Sequence, residues 1–286
     1  MNQQLVDDVI RLALAEDAPW GDVTSEVFVP ETAVATAVLN AREPGVASGL
    51  DVFARTFMLV DARAEVTLHI SDGDTFTAGQ QLASVSGNAR AVLRAERIAL
   101  NLSQRMSGIA TQTAAYVARA AGTQARIVDT RKTTPGLRAL ERHAVRCGGG
   151  HNHRFSLSDA VLAKDNHLAV LVAEGIDLGE AIRRARSRIG HTTHLEVEVD
   201  RLDQVETVVA AGVDTIMLDN FSLEDLRAGV ALVAGRAIVE ASGGVNLETV
   251  AAIAATGVDV ISVGALTHSV RSLDLGLDVA VSAAAQ

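Results

Sequence analysis

Glycines recur at nearly even spacing through the second half of the chain, at positions 190, 212, 235 and 257. Each follows a helix-like stretch and precedes a short apolar run (LEVEV, TIMLD, AIVEAS or VISVG), and Gly122 begins the same pattern before ARIVD. Glycine ends helices well because it adopts the left-handed conformation, and short apolar runs are typical of buried parallel strands. The repeat therefore predicts consecutive strand–helix units. Units this short and numerous favour an α/β barrel. Six or seven strands can be counted, so an incomplete barrel and a closed eight-stranded barrel both stay open.

The first third of the chain has a different pattern, in which strands and helices are mixed. The predicted elements are helices at 3–16, 51–60 and 88–121, the last open to interruption at Gly108, and strands at 32–40, 64–70 and 81–85. This order is typical of an α+β layer structure and not of repeated strand–helix units. The 286 residues therefore predict two domains of different architecture.

Composition excludes several classes of function. A net charge of −10 and only eight aromatic residues argue against general binding to nucleic acids or anionic membranes. Apolar runs stay short of the roughly eighteen residues that a membrane helix needs. The single cysteine, Cys147, excludes an intrachain disulfide and fits a reducing compartment, so we expect a cytoplasmic protein without nucleic-acid or membrane partners.

The basic residues are almost all arginines, and part of them is concentrated in one stretch of the chain. Of 25 Lys and Arg residues only Lys132 and Lys164 are lysines, so these two positions are candidates for a compact ammonium group. The stretch 129–164 contains seven basic and three acidic residues, a net of +4, whereas the other 250 residues carry −14. A local excess of positive charge in an acidic protein predicts a small, highly anionic ligand.

Polar residues fall at corresponding points of the repeat, seven or eight positions after each glycine. These residues are Asp129, Glu198, Asp219, Ser242 and Gly264. In α/β barrels the catalytic groups follow the carboxyl ends of the strands, so we expect them at one rim of an otherwise apolar barrel. The glycine-containing ends at 242–244 and 264–265 suit a phosphate, and two carboxylates with anionic substrate oxygens suit Mg²⁺ better than zinc.

Several segments together resemble the quinolinate phosphoribosyltransferase family, which belongs to the type II phosphoribosyltransferases. These segments are EDAPWGDVTS (16–25), AERIALNLSQRMSGIAT (95–111), DTRKTTPGLRALERHAVRCGGGHNHRFSLSDAVLAKDNH (129–167), EVEVD (196–200), LDNF (218–221), EASGG (240–244) and VGALTHS (263–269). Because they run through nearly the whole chain, the resemblance is specific. The acidic diphosphate-ribose motif of type I enzymes is absent from the sequence, as the resemblance requires.

The resemblance implies an α/β fold with an N-terminal α/β sandwich domain and an open barrel of about seven strands. The implied domains are 1–108, joined by the C-terminal segment 274–286, and a catalytic barrel at 109–273. The implied reaction joins quinolinate to phosphoribosyl pyrophosphate, requires Mg²⁺, and yields nicotinate mononucleotide, pyrophosphate and CO₂. Family members are dimers or assemblies of dimers. They vary near Cys147, which we therefore interpret as structural.

The resemblance also implies roles for individual residues. The residues matching quinolinate-binding positions are Arg131, His153, Arg154, Lys164 and, donated by the neighbouring subunit, Arg97. Those matching positions around the ribose, Mg²⁺ and pyrophosphate are Lys132, Glu198 and Asp219, with Lys164 also implied in catalysis. Those matching the 5′-phosphate loops are Ser242, Gly243, Gly244 and Gly264.

Two other classes of function stay open at this point. A Schiff-base aldolase would also use a lysine on a barrel strand, here Lys164, beside a phosphate site. A non-catalytic sensor would keep the fold but would be expected to lose Glu198 or Asp219, and both are present.

Overall fold

The computed structural model describes residues 1–164, 166–167, 169–170 and 175–282. The chain forms two compact units, one built from 1–114, 133–149 and 266–286, the other from 115–132 and 150–265. The predicted boundaries near 108 and 273 stay a prediction, and residues 283–286 of the predicted C-terminal segment lie outside the described residues. Among the described residues no helix is both long enough and apolar enough to span a membrane.

The first unit is built on an antiparallel sheet. Its strands are β1 (Val34–Ala41), β2 (Gly45–Val46), β3 (Glu65–Leu68), β4 (Thr75–Phe76), β5 (Gln81–Asn88) and β12 (Leu275–Ser282). The main sheet has the order β12–β1–β5–β3, and β2 pairs with β4. The C-terminal strand therefore returns to the first unit and pairs antiparallel with β1.

The first unit also contains helices, some of which pack against its sheet. They are α1 (Gln3–Asp17), α2 (Val23–Phe28), α3 (Leu50–Val60), α4 (Ala89–Ala120) and α5 (Arg138–Cys147). Helix α4 is continuous through Gly108, because the missing side chain allows close contact: a Cβ there would lie 2.2 Å from the Arg271 carbonyl oxygen. Leu39, Phe53 and Phe57 lie in the fully buried core between sheet and helices, where each side chain stabilises the fold by roughly 1.5–3 kcal/mol.

The second unit is a parallel α/β structure. Its strands are β6 (Arg126–Val128), β7 (Val161–Ala163), β8 (Leu195–Val199), β9 (Thr215–Asp219), β10 (Ile238–Ser242) and β11 (Val260–Ser262). Its helices are α6 (Leu178–Arg188), α7 (Val205–Ala210), α8 (Leu223–Val233), α9 (Val250–Ala254) and the start of α10 (Ala265–His268). The strand order is β7–β8–β9–β10–β11–β6. Among the described residues this parallel sheet has six strands, where the sequence predicts about seven.

As predicted, the glycines of the repeat lie in the turns between consecutive strand–helix segments of this parallel structure. Gly122, Gly212, Gly235 and Gly257 have φ values of 84°, 86°, 73° and 94°, which place them in the left-handed region that disfavours other residues. Gly190 is the exception, since its φ lies outside that region. The repeat thus reflects a backbone requirement at four of its five positions.

The inner face of the parallel sheet differs from the prediction of an otherwise apolar barrel. Along β8, Leu195, Val197 and Val199 are buried on one face, whereas Glu196 and Glu198 lie on the other, because side chains alternate along a strand. Glu240 on β10 is likewise buried within an apolar run. Carboxyl groups therefore lie below the rim as well as at it.

Candidate active site

One cavity of about 400 Å³ lies at the carboxyl ends of the parallel strands. Eight of the sequence-predicted site residues line it: Arg131, Lys132, His153, Arg154, Lys164, Glu198, Asp219 and Ser242. These residues lie near the carboxyl ends of the strands or in the loops that follow them. They come together because parallel strands present their carboxyl ends at one edge of the sheet. The structure thus brings cationic and acidic groups from distant parts of the sequence to a single site.

Two guanidinium groups converge on this cavity. Arg154 is partly buried and donates from Nη1 to the Ala160 carbonyl oxygen at 2.9 Å, which fixes its side chain. Burial and the neighbouring Arg131 guanidinium lower the pKa of Arg154. Two like charges held close together at a partly buried site favour binding of an anion, and the planar guanidinium suits a carboxylate or phosphate.

Lys164 and Glu198 form an ion pair inside the cavity. Lys164 directly follows β7 and Glu198 belongs to β8, the neighbouring parallel strand. The Lys164 side chain is 45% exposed and the Glu198 side chain 14% exposed, so the ammonium group reaches the cavity while the carboxylate lies deeper. The paired groups can therefore contact an anion through Lys164 and a cation through Glu198.

Asp219 is held in place by Asn220, a residue that sequence reasoning missed. Asn220 Nδ2 donates to Asp219 Oδ2 at 2.7 Å, and the Asn220 amide donates to the Ser242 carbonyl oxygen at 2.9 Å. Asn220 has a φ of 59°, a left-handed conformation that asparagine tolerates better than most residues. A Cβ at Gly243 would lie 2.1 Å from Asn220 Oδ1, so Gly243 is required for this contact.

Asp129 directly follows β6 and has a positioning role. It is fully buried, its Oδ1 accepts from the His153 amide at 2.7 Å, and its Oδ2 accepts from Asn152 Nδ2 at 2.7 Å. Its carboxylate therefore fixes the 151–154 loop that carries His153 and Arg154.

Below the rim, His153 contacts two buried carboxyl groups that the sequence analysis did not single out. His153 Nε2 lies 3.1 Å from Glu196 Oε2 and 3.6 Å from Glu240 Oε1. The sequence signal that could have pointed to these carboxyl groups is a glutamate inside each of the apolar runs LEVEV and AIVEAS. We call these three residues the buried acid cluster.

The remaining predicted residues lie elsewhere. Gly243 and Gly244 directly follow β10 and have φ values of 87° and 62°, and Gly264 follows β11 after Val263. None of the three lines the cavity. Arg97 is exposed on α4, in the first unit. The specific roles implied for all twelve residues stay predictions.

Comparison with known proteins identifies the family. Residues 22–107 match the quinolinate phosphoribosyl transferase N-terminal domain and residues 109–278 the C-terminal domain of the same family. The chain belongs to the quinolinate phosphoribosyltransferase family. The predicted family is therefore confirmed, and with it the predicted fold class of an N-terminal sheet domain and a parallel α/β domain.

Individual relatives match along almost their whole length. A nicotinate-nucleotide pyrophosphorylase [carboxylating] of Mycobacterium leprae is 45% identical over 281 residues, which cover 95% of this chain and 96% of that protein. A probable nicotinate-nucleotide pyrophosphorylase [carboxylating] of Bacillus subtilis is 41% identical over 282 residues, covering 99% and 96%. The crystal structure of NadC from Streptococcus pyogenes has a TM-score of 0.93 at 41% identity and covers 99% of this chain and 98% of that one.

Proposed function

We propose that this chain transfers the phosphoribosyl group of phosphoribosyl pyrophosphate to quinolinate, releasing pyrophosphate and CO₂ and forming nicotinate mononucleotide. The observation that carries this proposal is the convergence of Arg131, Arg154 and Lys164 with Glu198 and Asp219 around one cavity. Both substrates are multiply anionic, and an acidic protein needs such a local cationic site to bind them. The names of the full-length relatives support the same activity.

The guanidinium groups and Lys164 bind the two carboxylates of quinolinate in this proposal. Arginine forks bind carboxylates through paired hydrogen bonds, so Arg131 and Arg154 orient the pyridine ring as well as attract it. His153 is proposed in the same subsite. Ser242 with the glycines 243, 244 and 264 accommodates the 5′-phosphate, because glycine lets backbone amides approach an anion closely.

Glu198 and Asp219 are proposed to hold Mg²⁺, directly or through water. They lie on adjacent strands and line the same cavity, and carboxylate oxygens with the oxygens of an anionic substrate are the ligands that Mg²⁺ prefers. When bound, the ion supplies positive charge against the departing pyrophosphate.

The chain's own residues then act on charge that develops during transfer. The ring nitrogen of quinolinate attacks ribose C1 as pyrophosphate leaves, and positive charge accumulates on the ribose. Glu198 and Asp219 stabilise that charge, while Lys132 stabilises the pyrophosphate. The resulting pyridinium nitrogen withdraws electrons from the ring, so the adjacent 2-carboxylate is lost as CO₂.

The test is to incubate the protein with quinolinate, phosphoribosyl pyrophosphate and Mg²⁺ and to measure nicotinate mononucleotide, pyrophosphate and CO₂. We expect the three products in equal amounts, and little product when nicotinate, with one carboxylate, replaces quinolinate. Absence of nicotinate mononucleotide under these conditions would contradict the proposal. The family assignment removes the basis of the aldolase alternative, in which a ketone substrate would be trapped on Lys164 by borohydride.

We also propose that the protein is a homodimer with shared active sites, with higher assemblies built from dimers, and that it acts in the cytoplasm. Arg97 supports the shared site, because this exposed cation belongs to the first unit whereas the other proposed quinolinate ligands belong to the second. A twofold dimer can place Arg97 of one subunit at the cavity of its partner.

Mixing two inactive variants tests this arrangement. Arg97→Ala and Lys164→Ala are each expected to be nearly inactive, but random exchange of subunits makes half of the dimers mixed, each with one intact site. Activity should return to roughly a quarter of wild type. If mass measurements confirm exchange and activity stays at the level of the single variants, Arg97 does not act across an interface.

A further inference from the structure

The buried acid cluster holds two carboxyl groups that are nearly removed from water. Glu196 is 4% exposed and Glu240 is 3% exposed, and they belong to β8 and β10, on either side of β9. Glu196 Oε1 and Glu240 Oε1 are buried and have no hydrogen-bond partner among the described residues. Buried polar atoms are normally paired, so this cluster is built for a group or a proton that comes and goes.

The hydrogen bonds of His153 show that its imidazole ring carries one proton. The Arg154 amide donates to His153 Nδ1 at 2.8 Å, so Nδ1 carries no proton and the single ring proton lies on Nε2, facing Glu196. Burial lowers the pKa of His153 and the acidic neighbours raise it above its usual value, but a second ring proton would meet the Arg154 amide. Because its Nε2 lone pair is occupied by the proton, His153 is unsuited to bind a metal ion here.

Glu240 is the carboxyl that keeps a proton. One imidazole proton cannot satisfy two buried negative charges, and a buried pair of carboxylates ionises only once near neutral pH. Burial and the charge of Glu196 raise the pKa of Glu240, as does Glu198, whereas His153 and the Ser262 hydroxyl lower it. The His153 Nε2 proton faces Glu196 at 3.1 Å and lies farther from Glu240, at 3.6 Å, so Glu240 is the carboxyl left to hold a proton of its own.

Glu240 is also placed between two cavities. It lines the candidate active site, and it lines a second cavity of about 380 Å³. The exposed side chains of Arg126, His151 and His194 line this second cavity, which therefore reaches water. Of these two cavities, Glu196 lines the second but not the first. Glu240 can thus give a proton on one side and recover it from water on the other.

The proposed reaction requires such a proton. When the bond between ring C2 and its carboxylate breaks, the electron pair stays on C2, and CO₂ recombines with it unless C2 gains a proton as the bond breaks. We infer that Glu240 is a catalytic acid that donates its proton to C2, forming the new C–H bond of nicotinate mononucleotide and becoming a carboxylate. A water proton entering through the second cavity restores the acid. This inference rests on the proposed function.

A single-turnover experiment separates this step from phosphoribosyl transfer. In the wild-type protein pyrophosphate and CO₂ should form together. In Glu240→Gln, which keeps the size and neutrality of the acid but not its acidic proton, pyrophosphate should form within about 3-fold of the wild-type rate. CO₂ should lag by about 10-fold or more, and a mononucleotide heavier by one CO₂ should accumulate.

Two matched variants guard against a merely structural effect. Glu206→Gln removes an exposed carboxylate that pairs with Arg236 outside the cavity and leaves the acid unchanged, so its two products should stay in step. Glu240→Asp restores an acid and should shorten the lag, which keeps the test usable if Glu240→Gln folds poorly. The inference would be overturned if the two products stayed in step in Glu240→Gln, if both were lost equally, or if Glu206→Gln showed the same lag. Failure of the wild-type protein to form nicotinate mononucleotide would instead overturn the proposed function, and this inference with it.

Discussion

Both units of the chain pair a histidine with carboxyl groups, half-buried in the first unit and buried in the second, but the first unit satisfies its cluster completely. Asp72 Oδ1 accepts from the Leu50 amide at 3.0 Å, and Oδ2 accepts from the Gly49 amide at 3.0 Å and from His143 Nε2 at 2.8 Å. Gly49 precedes α3 and has no side chain to cap that helix, so the distant Asp72 caps it instead. Cys147 Sγ lies 4.0 Å from Asp72 Oδ2, in keeping with a structural cysteine. This cluster links a loop, α3 and α5.

The second unit leaves its cluster unsatisfied. Glu196 and Glu240 each have an oxygen without a hydrogen-bond partner among the described residues, although both are more buried than Asp72. An unpaired buried carboxyl oxygen costs about 1–3 kcal/mol or more, so folding alone does not account for it. The paired groups of the first unit stabilise the fold, whereas we infer that the unpaired groups of the second unit serve turnover. Substitutions should therefore separate stability from activity.

The largest effect is expected at Glu198 and Asp219. Glu198→Gln and Asp219→Asn should lower kcat by about 100-fold or more and change the quinolinate Kd by less than about 3-fold, because these groups act where charge develops. Neither should lower the free energy of unfolding by more than about 0.5 kcal/mol. Steady-state kinetics, equilibrium binding and thermal unfolding measure the three quantities.

Glu206→Gln is the matched control for these variants. Glu206 is exposed and pairs with Arg236 through bonds of 2.8 and 2.6 Å outside the cavity, so its loss should leave kcat unchanged. A large rise in the quinolinate Kd with normal kcat would place Glu198 or Asp219 in the wrong subsite. A large loss of stability would erase the contrast between the two units.

A smaller but still clear loss is expected at Lys164. Lys164→Arg and Lys164→Ala should both lower kcat/KM by about 10-fold or more, because charge alone does not explain a lysine in a chain that uses arginine for all but two of its 25 basic residues. The control is Arg184→Lys, which changes one cation for another in an exposed ion pair with Glu180 and should have no effect. Full activity of Lys164→Arg would show that charge alone is required at this position.

Part of this contrast could be predicted from sequence. The glycine repeat predicts the parallel unit because the left-handed turn is a local requirement, and the strand ends place Glu198 and Asp219 because parallel strands share an edge. The long α4 was predicted within two residues at each end. Local pattern and periodicity suffice for such features.

The two buried clusters could not be predicted in this way. Asp72 and His143 are 71 residues apart, and pairing over that distance leaves no periodic sign. Glu196 and Glu240 stand inside apolar runs, but which face of a strand turns inward depends on how the whole sheet closes. The contact of Asn220 with Gly243 likewise joins loops after different strands. These features depend on tertiary structure, which explains why the interior was predicted to be apolar.

The smallest effect is expected at the satisfied cluster of the first unit, and it should depend on pH. The hydrogen bond with Asp72 raises the pKa of His143 to about 9. Burial alone would raise the pKa of Asp72, but the bonds from His143, Gly49 and Leu50 lower it. Since the histidine pKa is higher in the folded state, its contribution is complete below about pH 6.5 and is lost as the pH rises through 9.

Asp72→Asn should remove this pH dependence of the free energy of unfolding while leaving kcat unchanged. Near pH 6.5 the variant should be about 1–2 kcal/mol less stable than wild type, an amount already reduced for the partial exposure of His143. Above about pH 9.5 the difference should shrink below about 0.5 kcal/mol, because asparagine also accepts hydrogen bonds at a helix start. Urea unfolding across this range measures it. Asp278→Asn, which breaks a pair with the non-titrating Arg42, should show no such pH dependence. Parallel curves for wild type and Asp72→Asn would mean that the first cluster does not stabilise the fold through an ion pair.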